Sequence, residues 1–483
     1  MRNCCQVVAF SIAILVCQFC AHDSTAQTAS DDAGAGVADS TAMVQRIAVE
    51  IESLLPKKYA EKSDEKKLVM QVARALIVER QAPKAIKLLE ELALKDPSLP
   101  PKNLILAGIS FATNNAQQGR SLLERVGADY REHPGVSLAF SRLALMQGRY
   151  FEAMALAENA NELAQSQQHD EAVRTYYSIE AYNSMTVIEM RRNDFGRAKD
   201  LAQKWAALDP GNNEMFLTTA EIAFQSQEYS KSVELLDRRA EATKQKLPTE
   251  IVMAKWYRSK SDFKSLELWV TKAVKKHPEN PVVQLEHAAW LLRVGKYDEV
   301  ESVVTAFETK NGASLDSLSL KGRVAFGRGN YDLAAEQFGQ IYSRQPNNFE
   351  NSSMYVFSLL ETQGQQNNQQ GINLAQRNFQ TLPNNQLAAL AMSVALKKAG
   401  KANLSSQLLE RAARMGEILP DTAFFMASKL NGDGRGLQAK IMLDSFMESR
   451  AMFLYRERAQ ELIDSIGADS LPEPKAASSG DDG

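Results

Sequence analysis

An aromatic residue returns at a fixed interval through the middle of this chain. Phe195, Tyr229, Phe263, Tyr297 and Tyr331 are each 34 residues after the last. Around them one phrase recurs: a glycine or polar residue, one residue, the aromatic, two residues, then a small or apolar residue. It reads NDFGRA, QEYSKS, SDFKSL, GKYDEV and GNYDLA, with GRYFEA at 148–153 as an earlier instance. Each phrase separates two stretches of helical periodicity. In 315–346, Leu318, Gly322 and Ala325 share one helical face; GRGNY follows; Ala334, Phe338 and Ile341 share the next face, before Pro346. Glycine and asparagine suit a tight turn, and proline cannot continue a helix. A single hairpin of this kind cannot bury its apolar stripe, so the units must stack into a continuous core.

The unit resembles the tetratricopeptide repeat, which has the same length. That family places a small residue at position 8 of the first helix, matched here by Ala73, Ser141, Thr186, Ala220, Ala254, Ala288, Gly322, Ser393 and Ala427. A second small residue opens the second helix, matched by Ala153, Ala198, Ser232, Ala334, Ser405 and Ala439, with Leu266 and Val300 as departures. Pro97, Pro134, Pro210, Pro278 and Pro346 fall where the family usually closes a unit, with Gln165, Lys244 and Gly312 as departures. The resemblance spans about residues 66–450, with units starting near 66, 103, 134, 179, 213, 247, 281, 315, 352, 386 and 420. It implies an all-α, right-handed superhelical solenoid of about eleven helix-turn-helix repeats. The third unit is longer, with extra residues around QSQQHDEAVRT (165–175), and GQQNNQQG (364–371) reads as a looser turn.

The flanks read differently. Arg2, an apolar run from Val7 to Val16 and the small residues of Ser24-Thr25-Ala26 make 1–26 a secretory signal peptide. An uncleaved anchor, or lipidation at Cys17 or Cys20, is the alternative. All four cysteines lie in this segment, so the rest of the chain has no disulfide or thiol chemistry. Residues 27–40 read as a disordered linker, 41–65 as an N-terminal capping helix, 451–467 as a C-terminal capping helix and 468–483 as a disordered tail. No segment of the mature chain is apolar enough to span a bilayer. A net charge of -3 gives no long-range pull toward nucleic acid.

No catalytic motif emerges. GDGRG (432–436) lacks the Lys-Ser/Thr of a phosphate loop and falls where a repeat turn belongs. The five histidines form no metal-ligand pair. His133 and His277 each precede a proline, where a side chain can answer helix C-terminal carbonyls, and His287 reads as a half-buried packing residue. No cofactor and no metal are expected.

What is left is a surface. In the family the inner wall is lined by the first helix of each unit. The resemblance puts Arg142, Asn183, Arg191, Phe224, Lys255, Arg258, Arg293, Arg323 and Phe326 on that wall, together with Glu180, Glu214, Glu221, Asp316, Lys397 and Lys398. Spaced cations with two aromatics suit an acidic or extended peptide, held by charge-assisted bonds and apolar anchors. The expected function is a non-catalytic protein- or peptide-binding scaffold in a bacterial envelope. The alternatives are a component of envelope assembly or secretion machinery, lipid-anchored or not, and a glycan hydrolase scaffolded on repeats. Nothing in the sequence indicates an oligomeric state.

Overall fold

A computed structural model describes residues 101–112, 116–166, 171–243 and 247–469, together with Lys87. The signal peptide, linker, N-terminal capping helix, most of the first repeat and the C-terminal tail beyond residue 469, all expected from the sequence, lie outside these residues. Among the described residues every regular element is an α-helix. The described residues divide into two compact units, one of residues 101–243 and one of residues 247–469.

The first unit contains α1 Lys102–Ala112, α2 Ala116–Asp129, α3 Pro134–Met146, α4 Tyr150–Ser166, α5 Glu171–Arg191, α6 Phe195–Leu208, α7 Asn213–Gln225 and α8 Tyr229–Thr243. The second contains α9 Thr249–Ser259, α10 Phe263–Lys276, α11 Pro281–Arg293, α12 Tyr297–Asn311, α13 Leu315–Gly327, α14 Tyr331–Arg344, α15 Phe349–Glu361, α16 Gln365–Thr381, α17 Gln386–Lys398, α18 Ala402–Ala413, α19 Pro420–Gly432, α20 Gly436–Glu448 and α21 Arg456–Asp469. Consecutive helices pair as hairpins, and within each unit a hairpin packs on the next.

The turns explain the period. Gly148, Asn193, Gln227, Ser261, Gly295, Gly329, Gly400 and Gly434 all have φ between 56° and 76°. Each sits between the two helices of a hairpin, in the left-handed region that ends helices. At 329 the neighbouring bonds are Gly329 N to Phe326 O at 3.0 Å and Asn330 N to Ala325 O at 2.8 Å. The next residue then caps the following helix: Asp194, Asp262 and Asn330 accept a backbone N–H through their side chains. First helices are capped likewise by Asn212, Asn280, Ser314, Asn348 and Asn385, and Pro134, Pro281 and Pro420 stand at helix N-termini, where no N–H is missed. A Cβ at Gly329 would meet nothing within 4 Å. Gly329→Ala therefore isolates the cost of the left-handed backbone, and a loss of about 1 kcal/mol in urea denaturation is expected.

Small residues set the distance between paired helices. Ser141 Oγ donates to Ala153 O at 2.6 Å, Ser232 Oγ to Ala220 O at 2.9 Å and Ser393 Oγ to Ser405 O at 2.8 Å. At Gly322 an added Cβ would stand 2.8 Å from the buried Phe338 ring. The second helix therefore lies close against the first.

Three expectations change. GQQNNQQG is no looser turn: Gly364 precedes α16, which starts at Gln365 and carries the tract. Buried Gly371, Leu374, Ala375 and Asn378 give α16 an inner face, with Gly371 against Leu360, so packing overrides the polar composition. The extra residues of the third unit lengthen helices. The chain is helical to Ser166 and again from Glu171, because Val173, Tyr177, Ala181, Met185 and Ile188 continue one buried stripe. His133 serves the start of a helix, not an end: its Nδ1 accepts from Gly135 N at 3.1 Å and caps α3. His277 does stand at the C-terminus of α10, with its Nε2 3.4 Å from Glu250 Oε2.

Candidate partner-binding groove

The residues expected on the inner wall fall on the first helices of the hairpins, but few of their charges stand alone. In the first unit Arg142 Nη2 meets Glu180 Oε2 at 2.5 Å. Asn183 Nδ2 donates to Glu214 Oε1 at 3.4 Å. Burial pushes the Glu214 carboxyl up, and Glu180 adds to the effect. Burial also raises the Glu221 carboxyl, against the pull of Arg191. Phe224 lies elsewhere: it is fully buried, edge-on to Tyr229 at 5.6 Å, and so cannot anchor a partner as expected.

In the second unit Arg258 makes two bonds to Glu286, at 3.0 and 3.2 Å, and Lys255 Nζ stands 3.8 Å from the same carboxylate. Burial alone would raise Glu286, but Arg258, Lys255 and Arg293 hold it below the usual range. Asp316 is raised by burial and by Glu286. Arg323 pairs with Glu350 at 2.7 Å. These pairs join the first helix of one hairpin to that of the next. Arg142, Lys255, Arg258 and Arg323, among the cations assigned to an acidic peptide, are thus already matched by carboxylates of the chain. Lys255 and Arg258 are both half-buried, and reversing them would crowd carboxylates around Glu286.

The second unit also holds what no repeat pattern announces. Between α20 and α21 the chain has no regular structure, and it crosses the first helices of several hairpins. Arg450 pairs with Glu267 and stands over the Trp290 ring, while Arg293 Nη1 donates to Arg450 O at 3.3 Å. Met452 packs against the core around Leu291, Leu292 and Leu320. Tyr455 is 1% exposed. Its ring lies flat on Phe424, centroids 5.1 Å apart and planes 10° apart, and edge-on to Phe326, Phe357 and Phe425. Asp421 Oδ1 accepts from Leu454 N at 2.9 Å and Tyr455 N at 3.2 Å. Glu361 Oε1 accepts from the Tyr455 hydroxyl at 3.3 Å and from Arg458 at 3.0 Å. Phe326 therefore does line a groove, one filled by residues 449–458. A cavity of about 380 Å³ remains beside this strap, lined by Trp290, Arg293, Lys296, Met447, Arg450 and Arg456. Burial, with Arg258 and Arg323 nearby, lowers the Arg293 guanidinium to about 10.

Residues 451–467 were expected to form a closing helix. Helix α21 starts later, at Arg456, and does pack on α20. Phe453, Leu454 and Tyr455 before it turn inward instead. The sequence carries one signal of this: the run FLYRER, beyond the last hairpin, faces two acidic inner-wall residues, Asp421 and Glu361.

Hairpins of period 34, with small residues packed across each pair and a left-handed residue at each turn, decide the repeat type. The chain is an array of tetratricopeptide-type repeats. No known family profile matches the sequence, and neither does any curated protein. Solved structures that resemble the array include PilF of Pseudomonas aeruginosa, at 14% identity over 44% of this chain and 91% of that one, with a TM-score of 0.32. A tetratricopeptide repeat protein from Parabacteroides merdae gives 11% identity over 53% and 98%, with a TM-score of 0.33. The Cut9–Hcn1 structure gives 12% identity over 86% of each chain, with a TM-score of 0.36. Likeness at this level says nothing about partners. Among the described residues no helix is long and apolar enough to cross a membrane.

Proposed function

We propose that this array is an exported, non-catalytic scaffold that holds extended protein segments along the inner faces of its first helices. The observation that supports it is the strap: residues 449–458, irregular as far as Tyr455 and helical from Arg456, lie along such a face and seat an aromatic side chain and arginines there. The inner wall therefore has the shape and chemistry to hold a peptide. The paired charges favour a partner of mixed or basic character over an acidic one. The strap itself has Arg450, Arg456 and Arg458 against Glu457, a net of +2 from 3 − 1. Export rests on the signal-like residues 1–26. Lipidation at Cys17 or Cys20 would make the same scaffold a membrane-anchored part of an envelope assembly or secretion machine.

The inner face of the first unit is the place to test the reading. Immobilised full chain is used to capture partners from an envelope extract, beside a variant with Arg142→Ala and Arg191→Ala. Both arginines lie on the inner wall, and Arg142 is exposed, so the variant should keep its melting temperature within a few degrees. Capture reduced at least tenfold is the expected result. Equal capture by both would move the contact off the inner wall and defeat the proposal.

A further inference from the structure

A terminal cap in a repeat array has one task, to cover the apolar face of the last hairpin. Helix α21 does that against α20. The strap before it reaches much further back: Arg450 meets Glu267, 183 residues earlier, and Arg458 meets Glu361, 97 residues earlier. It touches the last hairpin at Asp421 and Phe424, but the hairpins of Trp290, Phe326 and Phe357, which it also touches, have neighbours of their own and need no cover. Its contacts are those of a ligand in a site. An aromatic ring fills an aromatic box, a carboxylate holds two consecutive backbone N–H groups, and a second carboxylate reads both the tyrosine hydroxyl and an arginine. Asp421 is 6% exposed, and its hydrogen bonds run to the strap. Two half-to-fully buried acids aimed into one groove make a receptor for a basic, aromatic segment.

We propose that residues 449–458 are an internal ligand occupying this groove, and that the groove's partner in trans is an extended segment of another protein carrying a tyrosine followed three residues later by an arginine. This rests on the scaffold reading above, and it makes the scaffold self-closed: the partner must displace the strap. Apparent affinity then falls by the fraction of molecules whose groove is open.

The probe is a fluorescent peptide of residues 449–460, SRAMFLYRERAQ, titrated against the full chain. Tyr455→Ala in the chain removes the ring from the box, and Arg458→Glu sets a carboxylate against Glu361 while leaving the core intact. Both variants should bind the peptide at least tenfold more tightly than the unaltered chain, and a peptide with alanine in place of its tyrosine should bind neither. The Arg458→Glu chain guards against misfolding by Tyr455→Ala, and circular dichroism reports whether either remains helical. Equal binding by the unaltered chain and a helical Arg458→Glu chain would overturn the proposal. Variant dimers that the peptide does not dissolve would also overturn it, assigning the groove to a second copy. Loss of capture through Arg142 and Arg191 tests the scaffold separately, so the two ideas fail independently.

Discussion

Raising the pH from 5 to 8 should destabilise the unit of residues 247–469, and Asp421→Asn should remove most of that dependence. Burial pushes the Asp421 carboxyl up to about 7, despite the opposing bonds from Tyr455 N and Leu454 N and the nearby Arg323. In an unfolded chain the same group titrates near 3.8. The folded state therefore holds its proton more tightly. Its contribution is complete below about pH 4 and is lost as the pH rises through 7. A shift of about three pH units corresponds to about 4 kcal/mol at most, an upper figure because the unit relaxes around a new charge. The asparagine keeps an acceptor for the two N–H groups and carries no charge at any pH. The stability of the variant relative to the unaltered chain should rise by about 2 kcal/mol or more between pH 5 and pH 8. Urea melts at both values check this. A relative stability that does not rise would mean the carboxylate is paired when ionised.

Removing Arg192 and Arg197 together should cost the first unit about 3–5 kcal/mol. Both surround Glu189, which is fully buried near the C-terminus of α5. Arg192 Nη1 stands 3.0 Å from each carboxylate oxygen and Arg197 Nη1 stands 3.1 Å from one. The double change to alanine leaves a charge in the interior with neither partner. Glu189→Gln should cost less, about 2 kcal/mol, because the two guanidiniums are partly exposed and turn to water. The asymmetry between the carboxylate and its partners is the test. If the double change proved as mild as Glu189→Gln, water would have to reach the carboxylate in the folded chain.

The helices were legible because turn chemistry repeats with the period. First helices begin at 134, 213, 281, 315, 386 and 420, the residues at which the sequence pattern starts a unit. Others differ by one to three residues, and α5 starts eight residues early because buried Val173 and Tyr177 extend its stripe past a polar run. Polar composition misled in the same way at 364–371, where tertiary contact at Gly371 decides. Asn193, Gln227 and Ser261 adopt the left-handed turn without being glycine, so residue type alone did not mark those turns. The inner wall was legible as a set of positions, not as a set of free charges. The partners of Arg142, Lys255, Arg258 and Arg323 sit a repeat away, at Glu180, Glu286 and Glu350, and pairing across hairpins leaves no trace in local periodicity. The strap was least legible, since its partners lie 33 to 183 residues upstream.

That separation also orders events in time. A helical hairpin forms from contacts within a few dozen residues, so each can close soon after it is made. Residues 449–458 also reach partners 94 to 183 residues earlier. During synthesis they follow every helix they touch, from α10 through α19. The nascent array therefore passes through a stage with its hairpins stacked and the Phe326, Phe357 and Phe424 faces wet, before its own strap exists to cover them. A segment from another protein present at that moment meets no competitor. The order in which the chain is made, as much as affinity, then decides which ligand the groove receives.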